Sequence, residues 1–445
     1  MKVIIAGAGE TGTYLAQLLY KANKNIIIID KNKDLLEYID SHYDFLTKYG
    51  SSTSIDDLNS IGINNADLFI ALTQTEEANI TSCILAKKLG AKKVIARIDN
   101  SEYLENDNER FFKELGIDSL IYPEILASEE IMNLINRTGA SKTFTFADGK
   151  LQLLAIKIKK DAPVLLKTLH EVTLEAGDLD FRAVAITRKN ETIIPKGFNA
   201  FQEDDLFYVI CNEQGIGKLM ELSGKKQINV ENIMIMGGSR IGLKTALKCE
   251  KRCRVKLVEK DRDKCEELSE KLTNTLVIHS DGRDTELLKE EGIEGTDIFI
   301  AVTGNSETNI LACLHAKKLG VPKTIAEIEN MDYLAVAEQM GIESVINKKT
   351  IASGHIYSHI MSKQVSSVQC LIGSDAEILE YTVRKGAKIT KKKLMDINFP
   401  KKAIVGGVIR NDEVLIAKGD TLIEENDKVI LFVLPEAIDK VNNFF

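Results

Sequence analysis

The chain has 445 residues, 44% hydrophobic and 28% charged, with a net charge of −8, no tryptophan and seven cysteines. At about 150 residues per domain this is roughly three domains with ample core, and the acidic balance excludes a bulk electrostatic pull toward nucleic acid or an anionic membrane surface. Apolar runs such as 429–434 fall far short of the ~20 residues a membrane helix needs, and the odd, scattered cysteines fit a reducing cytoplasm.

The chain opens directly on an apolar strand, Lys2-Val3-Ile4-Ile5-Ala6, which leaves no room for a signal peptide. It turns on Gly7-Ala8-Gly9-Glu10-Thr11-Gly12 into the helical pattern Thr13-Tyr14-Leu15-Ala16-Gln17-Leu18-Leu19. Strand, G-x-G-x-x-G and helix in this order form a dinucleotide fingerprint. Gly7 permits the tight turn, Gly9 lets a pyrophosphate approach the backbone, and Gly12 lets helix and strand pack closely. The helix N-terminus then supplies free N–H groups and a partial positive charge. A second apolar run, 26–29, ends in Asp30, 18 residues beyond Gly12, about where an acid accepts both ribose hydroxyls.

A helical pattern over 34–39 follows, then a short strand near Phe45, the turn Gly50-Ser51-Ser52-Thr53 and a short helix over 55–61. Residues 67–72 are apolar without alternation, as a buried parallel strand requires, and stop at Thr73-Gln74. A helix over 78–89 is capped by Gly90. The strand 93–98 carries Arg97 near its carboxyl end, aimed toward the phosphates. This alternation predicts an α/β fold, a doubly wound parallel sheet with its ligand at the carboxyl ends of the strands. The rhythm changes near Gly139. Strands over 151–158, 182–188, 191–194 and 206–211, a hairpin at Asn190-Glu191, and helical pieces over 164–171 and 217–222 make a small α+β unit.

Then the chain starts over. Gly237-Gly238-Ser239-Arg240-Ile241-Gly242 repeats the first loop 230 residues on, and the same offset carries AKKLG at 86–90 onto AKKLG at 316–320 and Cys83 onto Cys313. It also carries Thr73-Gln74-Thr75-Glu76-Glu77-Ala78-Asn79-Ile80 onto Thr303-Gly304-Asn305-Ser306-Glu307-Thr308-Asn309-Ile310. The small unit repeats at an offset of 222, Arg188 onto Arg410 and Pro195-Lys196-Gly197 onto Ala417-Lys418-Gly419. Agreement over this many positions establishes a large–small–large–small repeat.

The halves differ where chemistry is expected. Ser239 replaces the middle glycine, so its Cβ crowds the path of a pyrophosphate, while Glu259 still offers a carboxylate to ribose. Arg240 reads either as a phosphate ligand or as an ordinary surface arginine. Glu327 stands where the first half has Arg97. Glu76, Glu77 and Glu307 read as carboxylates favourable to a helix N-terminus. No catalytic residue is assigned: the six histidines are scattered, none supplies the acid–base group a dehydrogenase needs beside a nicotinamide, and no nucleophile set is evident. No metal site is assigned either. Cys249 and Cys253 lack a second pair, and His355 and His359, at helical spacing, lack a third ligand.

The GAGETG loop with Asp30, the ALTQTEEANI segment, the ARI strand end and the small β-rich unit together resemble an RCK domain, a regulator of potassium conductance. Two in one chain resemble the tandem-RCK family of peripheral regulatory subunits of Trk potassium uptake systems. The resemblance implies two Rossmann-like lobes, 1–138 and 230–362, each followed by a small α+β lobe, 139–224 and 363–445. It implies NAD(H) in the first, contacted by Gly7, Ala8, Gly9, Glu10, Thr11, Gly12, Asp30, Ser51, Ser52, Thr73, Gln74 and Arg97, the serines lying along the adenine. In the second it implies ATP or ADP, or a second NAD(H), at Gly237 to Gly242, Glu259, Asp281, Gly282, Thr303 and Gly304. It further implies a cytoplasmic homo-tetrameric ring at the inner face of the plasma membrane. There it would gate a Trk-type potassium-translocating subunit and bind no nucleic acid. The alternatives are an RCK regulator of another cation channel or antiporter and, more remotely, an NAD-dependent oxidoreductase.

Overall fold

The computed structural model describes residues 1–445 except 22–23, 148, 177–179, 190, 226–227, 343, 361–364 and 371–375. The expected hairpin residue Asn190 and the expected boundary at 362–363 lie outside the described residues. The chain divides into two compact units, Met1–Leu126 with Lys348–Met361, and Ala127–Asn347 with Ser362–Phe445.

In the first unit, strands alternate with helices: β1 (Lys2–Ala6), α1 (Glu10–Lys21), β2 (Asn25–Asp30), α2 (Lys33–His42), β3 (Leu46–Tyr49), α3 (Ile55–Ser60), β4 (Leu68–Ala71), α4 (Glu76–Lys88), β5 (Lys93–Arg97), α5 (Asn106–Glu114) and β6 (Ser119–Ile121). The sheet order is β3-β2-β1-β4-β5-β6, parallel throughout. β1 and β4 are adjacent yet lead in opposite directions, so the connections leave their carboxyl ends toward opposite faces and open a crevice there. The apolar runs of β1 and β4 are buried because helices cover both faces of such a sheet. Phe45 lies just ahead of β3, buried and stacked on Tyr43 with ring centroids 5.2 Å apart. The helix α6 (Pro123–Asn136) runs from this unit into the second.

The second unit continues with β7 (Lys142–Phe146), β8 (Leu151–Lys157), α7 (Leu169–Ala176), β9 (Phe181–Arg188), β10 (Glu191–Ile193), β11 (Leu206–Asn212) and α8 (Gly215–Ser223). The strands form an antiparallel sheet in the order β10-β9-β11-β8-β7. The helix expected over 164–171 begins later, at Leu169. Leu166 takes a φ of 67° and is 77% exposed. A capping box then starts α7: Thr168 N–H donates to the Glu171 carboxylate at 2.7 Å and Glu171 N–H to the Thr168 hydroxyl at 3.2 Å. The Thr-x-x-Glu signal sets the start of the helix.

A second parallel sheet follows, built from β12 (Asn232–Met236), α9 (Arg240–Cys249), β13 (Arg254–Glu259), α10 (Arg262–Lys271), β14 (Thr275–His279), α11 (Thr285–Glu290), β15 (Ile298–Ala301), α12 (Ser306–Lys318), β16 (Lys323–Glu327), α13 (Asp332–Gln339) and β17 (Ser344–Ile346). Its order, β14-β13-β12-β15-β16-β17, copies the first. α14 (Lys348–Ile360) comes next in the chain but belongs to the first unit, packed on α1. The remaining elements, β18 (Val365–Cys370), β19 (Glu377–Thr382), β20 (Ala403–Arg410), β21 (Glu413–Ile416), β22 (Lys428–Val433) and α15 (Ile438–Asn442), form a second antiparallel sheet, β18-β19-β22-β20-β21. The two antiparallel sheets share one apolar core that includes Leu153, Tyr208, Ile210, Ile378, Ile430 and Phe432.

The repeat extends to buried polar links. Arg188 grips Asp205 through Nε and Nη2 at 2.8 and 2.7 Å, and Arg410 grips Asp427 in the same way at 2.9 and 2.8 Å. Both aspartates are 1% exposed, so each fork satisfies a carboxylate that burial would otherwise penalise.

The later part of α6 is tied to the second parallel sheet. Lys323, at the start of β16, shares its three ammonium N–H groups among the carbonyls of Leu134, Arg137, Thr138 and Ala140, at 2.9 to 3.2 Å. Its ammonium thus closes the helix C-terminus, where cations are favourable. Glu130 on the same helix is partly exposed. Burial pushes its carboxyl from the usual 4.5 up to about 7, against a hydrogen bond from Asn133 and the attraction of Lys142. The fold therefore favours the protonated acid. Its contribution is fully present below about pH 4.5 and is lost as pH rises toward about 7. Glu130→Gln is expected to flatten the melting temperature between about pH 5 and pH 8 and to raise it at the upper end. An unchanged pH profile would count against this account.

Candidate functional site

The crevice of the first parallel sheet is a cavity of about 830 Å³ at the carboxyl ends of β1, β2, β4 and β5. Of the residues singled out from sequence, Gly7, Gly9, Glu10, Thr11, Gly12, Asp30, Ser51, Ser52, Thr73, Gln74 and Arg97 line it. Ala8 is buried beneath the wall. The glycines are required by close approach. Gly7 has a φ of +114°, and a Cβ on it would lie 2.6 Å from the carbonyl oxygen of Leu72. A Cβ on Gly12 would meet the Gly7 carbonyl oxygen at 2.1 Å, whereas one on Gly9 would meet nothing and project into open space. The position where sequence reasoning expects a pyrophosphate is thus the open one.

Asp30 does more than end β2. Its carboxylate accepts from the N–H of Ala8 at 2.6 Å and from the N–H of Asn32 at 2.8 Å. One acid therefore holds the glycine loop against the next turn while it lines the cavity. Across the crevice, Asn79 is 1% exposed and accepts from the N–H and hydroxyl of Thr73 at 2.8 and 2.7 Å. Its amide donates to the carbonyl of Arg97 at 3.0 Å, so it locks the ends of β4 and β5 together. Glu76 accepts from the N–H groups of Asp99 and Asn100 at 2.7 and 2.8 Å. It fixes the turn after β5 in addition to facing the α4 N-terminus. Arg97 reaches Asp99 at 3.2 Å, and its Nε finds no partner among the described residues. Ser52 turns its hydroxyl inward to Ser82 at 2.8 Å, while Ser51 pairs with Thr53 at 2.9 Å.

The crevice of the second sheet is about half as large, about 440 Å³. Gly237, Ser239, Glu259, Asp281, Gly282, Thr303 and Gly304 line it; Gly238, Arg240, Ile241 and Gly242 do not. Glu259 repeats the role of Asp30, accepting from Gly238 N–H at 2.7 Å and from Lys260 and Asp261 N–H at 2.8 and 3.0 Å. Ser239 caps α9 and donates to the Val302 carbonyl at 2.7 Å, which turns its hydroxyl toward β15. The Arg283 guanidinium on Asp281 holds that carboxyl down at about 2. Asn309 repeats the latch of Asn79, bonding Thr303 and the Glu327 carbonyl. Cys83 and Cys313 are fully buried, with burial pushing both thiols up. That places them in packing, away from the crevices.

Sequence reasoning missed Asn79 and Asn309 although both stand in the repeated segment. Their matched positions were the available signal. It also missed Lys260, Lys264, Arg283, Asn305 and Thr308 in the second wall, and Lys349 in the first. A third cavity, about 380 Å³, lies in the small-lobe region, with apolar walls from Ile156, Val172, Phe181 and Leu219 and with Arg182, Lys196 and Lys418 around it. His355 is exposed, and the side chain of His359 lies outside the described residues. No cluster of three metal-ligating side chains occurs among the described residues, and no helix among them is long and apolar enough to cross a membrane.

Two crevices of this build, each at a strand-order reversal and each latched by an acid ending the second strand, define a tandem Rossmann-type protein. The TrkA-N domain model matches residues 3–123 and 233–348, and the TrkA-C domain model matches 153–224 and 378–445. The chain belongs to the TrkA family. It is 32% identical over 440 residues to the Trk system potassium uptake protein TrkA of Vibrio alginolyticus, covering 98% of this chain and 96% of that one. It is also 32% identical to the TrkA homolog 2 of Methanosarcina mazei, over the full length of both. Among solved structures, the GsuK channel bound to NAD superposes with a TM-score of 0.61 at 16% identity, covering 100% of this chain and 78% of that one. The GsuK RCK domain superposes equally well, covering 99% and 94%. At such identities the likeness is one of fold.

Proposed function

We propose that this chain is the nucleotide-sensing regulatory subunit of a potassium uptake system and gates a membrane-spanning partner of Trk type. The observation that carries the reading is the first crevice, where an acid-latched glycine loop, Thr73-Gln74 and Arg97 surround a dinucleotide-sized space in a chain of the TrkA family. NAD(H) fits it, with N–H groups of the Gly7 to Gly12 loop toward the pyrophosphate, Asp30 toward a ribose diol and Ser51-Ser52 toward the adenine. The second crevice suits ATP or ADP better than a second NAD(H). It is smaller, Ser239 stands where Gly9 leaves open space, and Lys260 and Lys264 favour a charged tail. The lobes are 1–138, 139–224, 230–362 and 363–445, and four chains assemble as a cytoplasmic ring beneath the partner. The ligand acts as a signal and no chemistry follows. Binding biases two arrangements of the ring, for which a coupling of about 1–3 kcal/mol is typical.

The test is potassium flux into vesicles that hold the partner, with this protein and varied nucleotide outside. NADH or ATP is expected to change flux only when both proteins are present, because a ligand shifts an equilibrium only through different affinities for its two states. If neither nucleotide altered flux while the protein was demonstrably bound, the regulatory reading would give way to passive assembly.

A further inference from the structure

The first crevice has a wall that the first half of the chain does not supply. α14, from the far end of the second parallel-sheet region, lies on α1. There the Ser353 hydroxyl donates to the Thr11 carbonyl at 3.3 Å, and Ala352, Ile356 and Tyr357 are fully buried or nearly so. This packing delivers Lys349 to the cavity wall. Its ammonium sits 2.6 Å from the carboxylate of Glu10, the first residue of α1. The Lys349 side chain is 21% exposed, whereas Lys33, on the same wall, is 73% exposed and turned toward Glu37. Arg97, across the crevice, is engaged by Asp99.

We infer that Lys349 is a phosphate ligand of the first crevice, supplied by the second half of the chain, and that Glu10 is the carboxylate that positions it. The inference rests on the nucleotide reading proposed above. A pyrophosphate over the glycine loop lies at the α1 N-terminus, where N–H groups and the helix dipole favour it. Glu10 stands at the same N-terminus, and a carboxylate there repels a phosphate unless a cation shares the site. Lys349 is placed to do so, already largely withdrawn from water, and moving from Glu10 to a phosphate exchanges one charge-assisted hydrogen bond for another.

The sequence register sets this corner of the first half apart from its repeat. Glu10 corresponds to Arg240 at the 230-residue offset, and Glu124 corresponds to Lys349 at the 225-residue offset between β6 and β17. The first half thus carries an acid at the start of α1 and a base on α14 where the matched positions of the repeat carry a base and an acid. Dinucleotide in the first lobe therefore bears directly on a helix that belongs, in the chain, to the second.

The test is calorimetry of NADH on the full chain. Lys349→Gln is expected to weaken binding about tenfold, the loss of one charge-assisted hydrogen bond, and Lys349→Arg to recover most of it. Glu10→Gln, which removes this ion pair and the repelling carboxylate, is expected to bind about threefold tighter. A purely structural ion pair predicts the opposite, that both single variants weaken binding alike. That result, or an unchanged affinity in Lys349→Gln, overturns the inference. An unmodified chain that bound neither NADH nor ADP-ribose would instead overturn the nucleotide reading itself.

Discussion

Replacing Asp30 by alanine is expected to weaken NADH binding by roughly 10- to 100-fold and to lower the melting temperature of the unliganded protein as well. The two effects have separate causes. A carboxylate accepting from a ribose hydroxyl is a charge-assisted hydrogen bond worth about 1.5–3 kcal/mol. The same carboxylate holds the Ala8 N–H at 2.6 Å and the Asn32 N–H at 2.8 Å, so its removal also slackens the glycine loop. The acid should repel a 2′-phosphate, so the unmodified chain should prefer NADH to NADPH and Asp30→Ala should narrow the preference. Calorimetry with both dinucleotides, beside a thermal melt, checks each part. Equal affinity for the two in the unmodified chain would remove Asp30 from the ribose.

Replacing Lys323 by methionine is expected to destabilise the second unit by roughly 3 kcal/mol. Methionine keeps the stem packed and avoids burying a charge, so the loss isolates the four carbonyls that the ammonium serves. With Lys323 only 6% exposed, water cannot readily replace it at the end of α6. Denaturant unfolding followed by circular dichroism reads the change. A loss below about 0.5 kcal/mol would show that the carbonyls find water instead.

The fold was legible in the sequence to an unusual degree because it is written twice. One copy of an apolar run followed by G-x-G-x-x-G is a weak sign. Two copies 230 residues apart, with Thr73 and Thr303, Asn79 and Asn309, and Cys83 and Cys313 in step, fix strand, turn and helix by mutual consistency. The role of Gly12 also follows from local geometry, since its close approach to the Gly7 carbonyl is set within the loop, whereas Gly7 is pressed by Leu72 from β4's end, far along the chain. The late start of α7 was less legible, because it is set by the single hydrogen bonds of the Thr168–Glu171 capping box.

What the sequence by itself determined is the set of local units: the two glycine loops, the acids that end the second strands, the parallel strands and the small β-rich repeats. Each depends on contacts between residues near in the chain or on a periodicity read along it. What only the tertiary structure decided is which distant residues meet. Lys349 reaches Glu10 across 339 residues and Lys323 reaches Leu134 across 189, and no local pattern marks either lysine among its many neighbours of like charge. Two helices, α6 and α14, pack away from the sheets that precede them in the chain. Their partners are chosen by complementary apolar faces and by a few buried polar groups. That choice is a free-energy comparison between whole arrangements of the chain, and it leaves no trace in any single window of it.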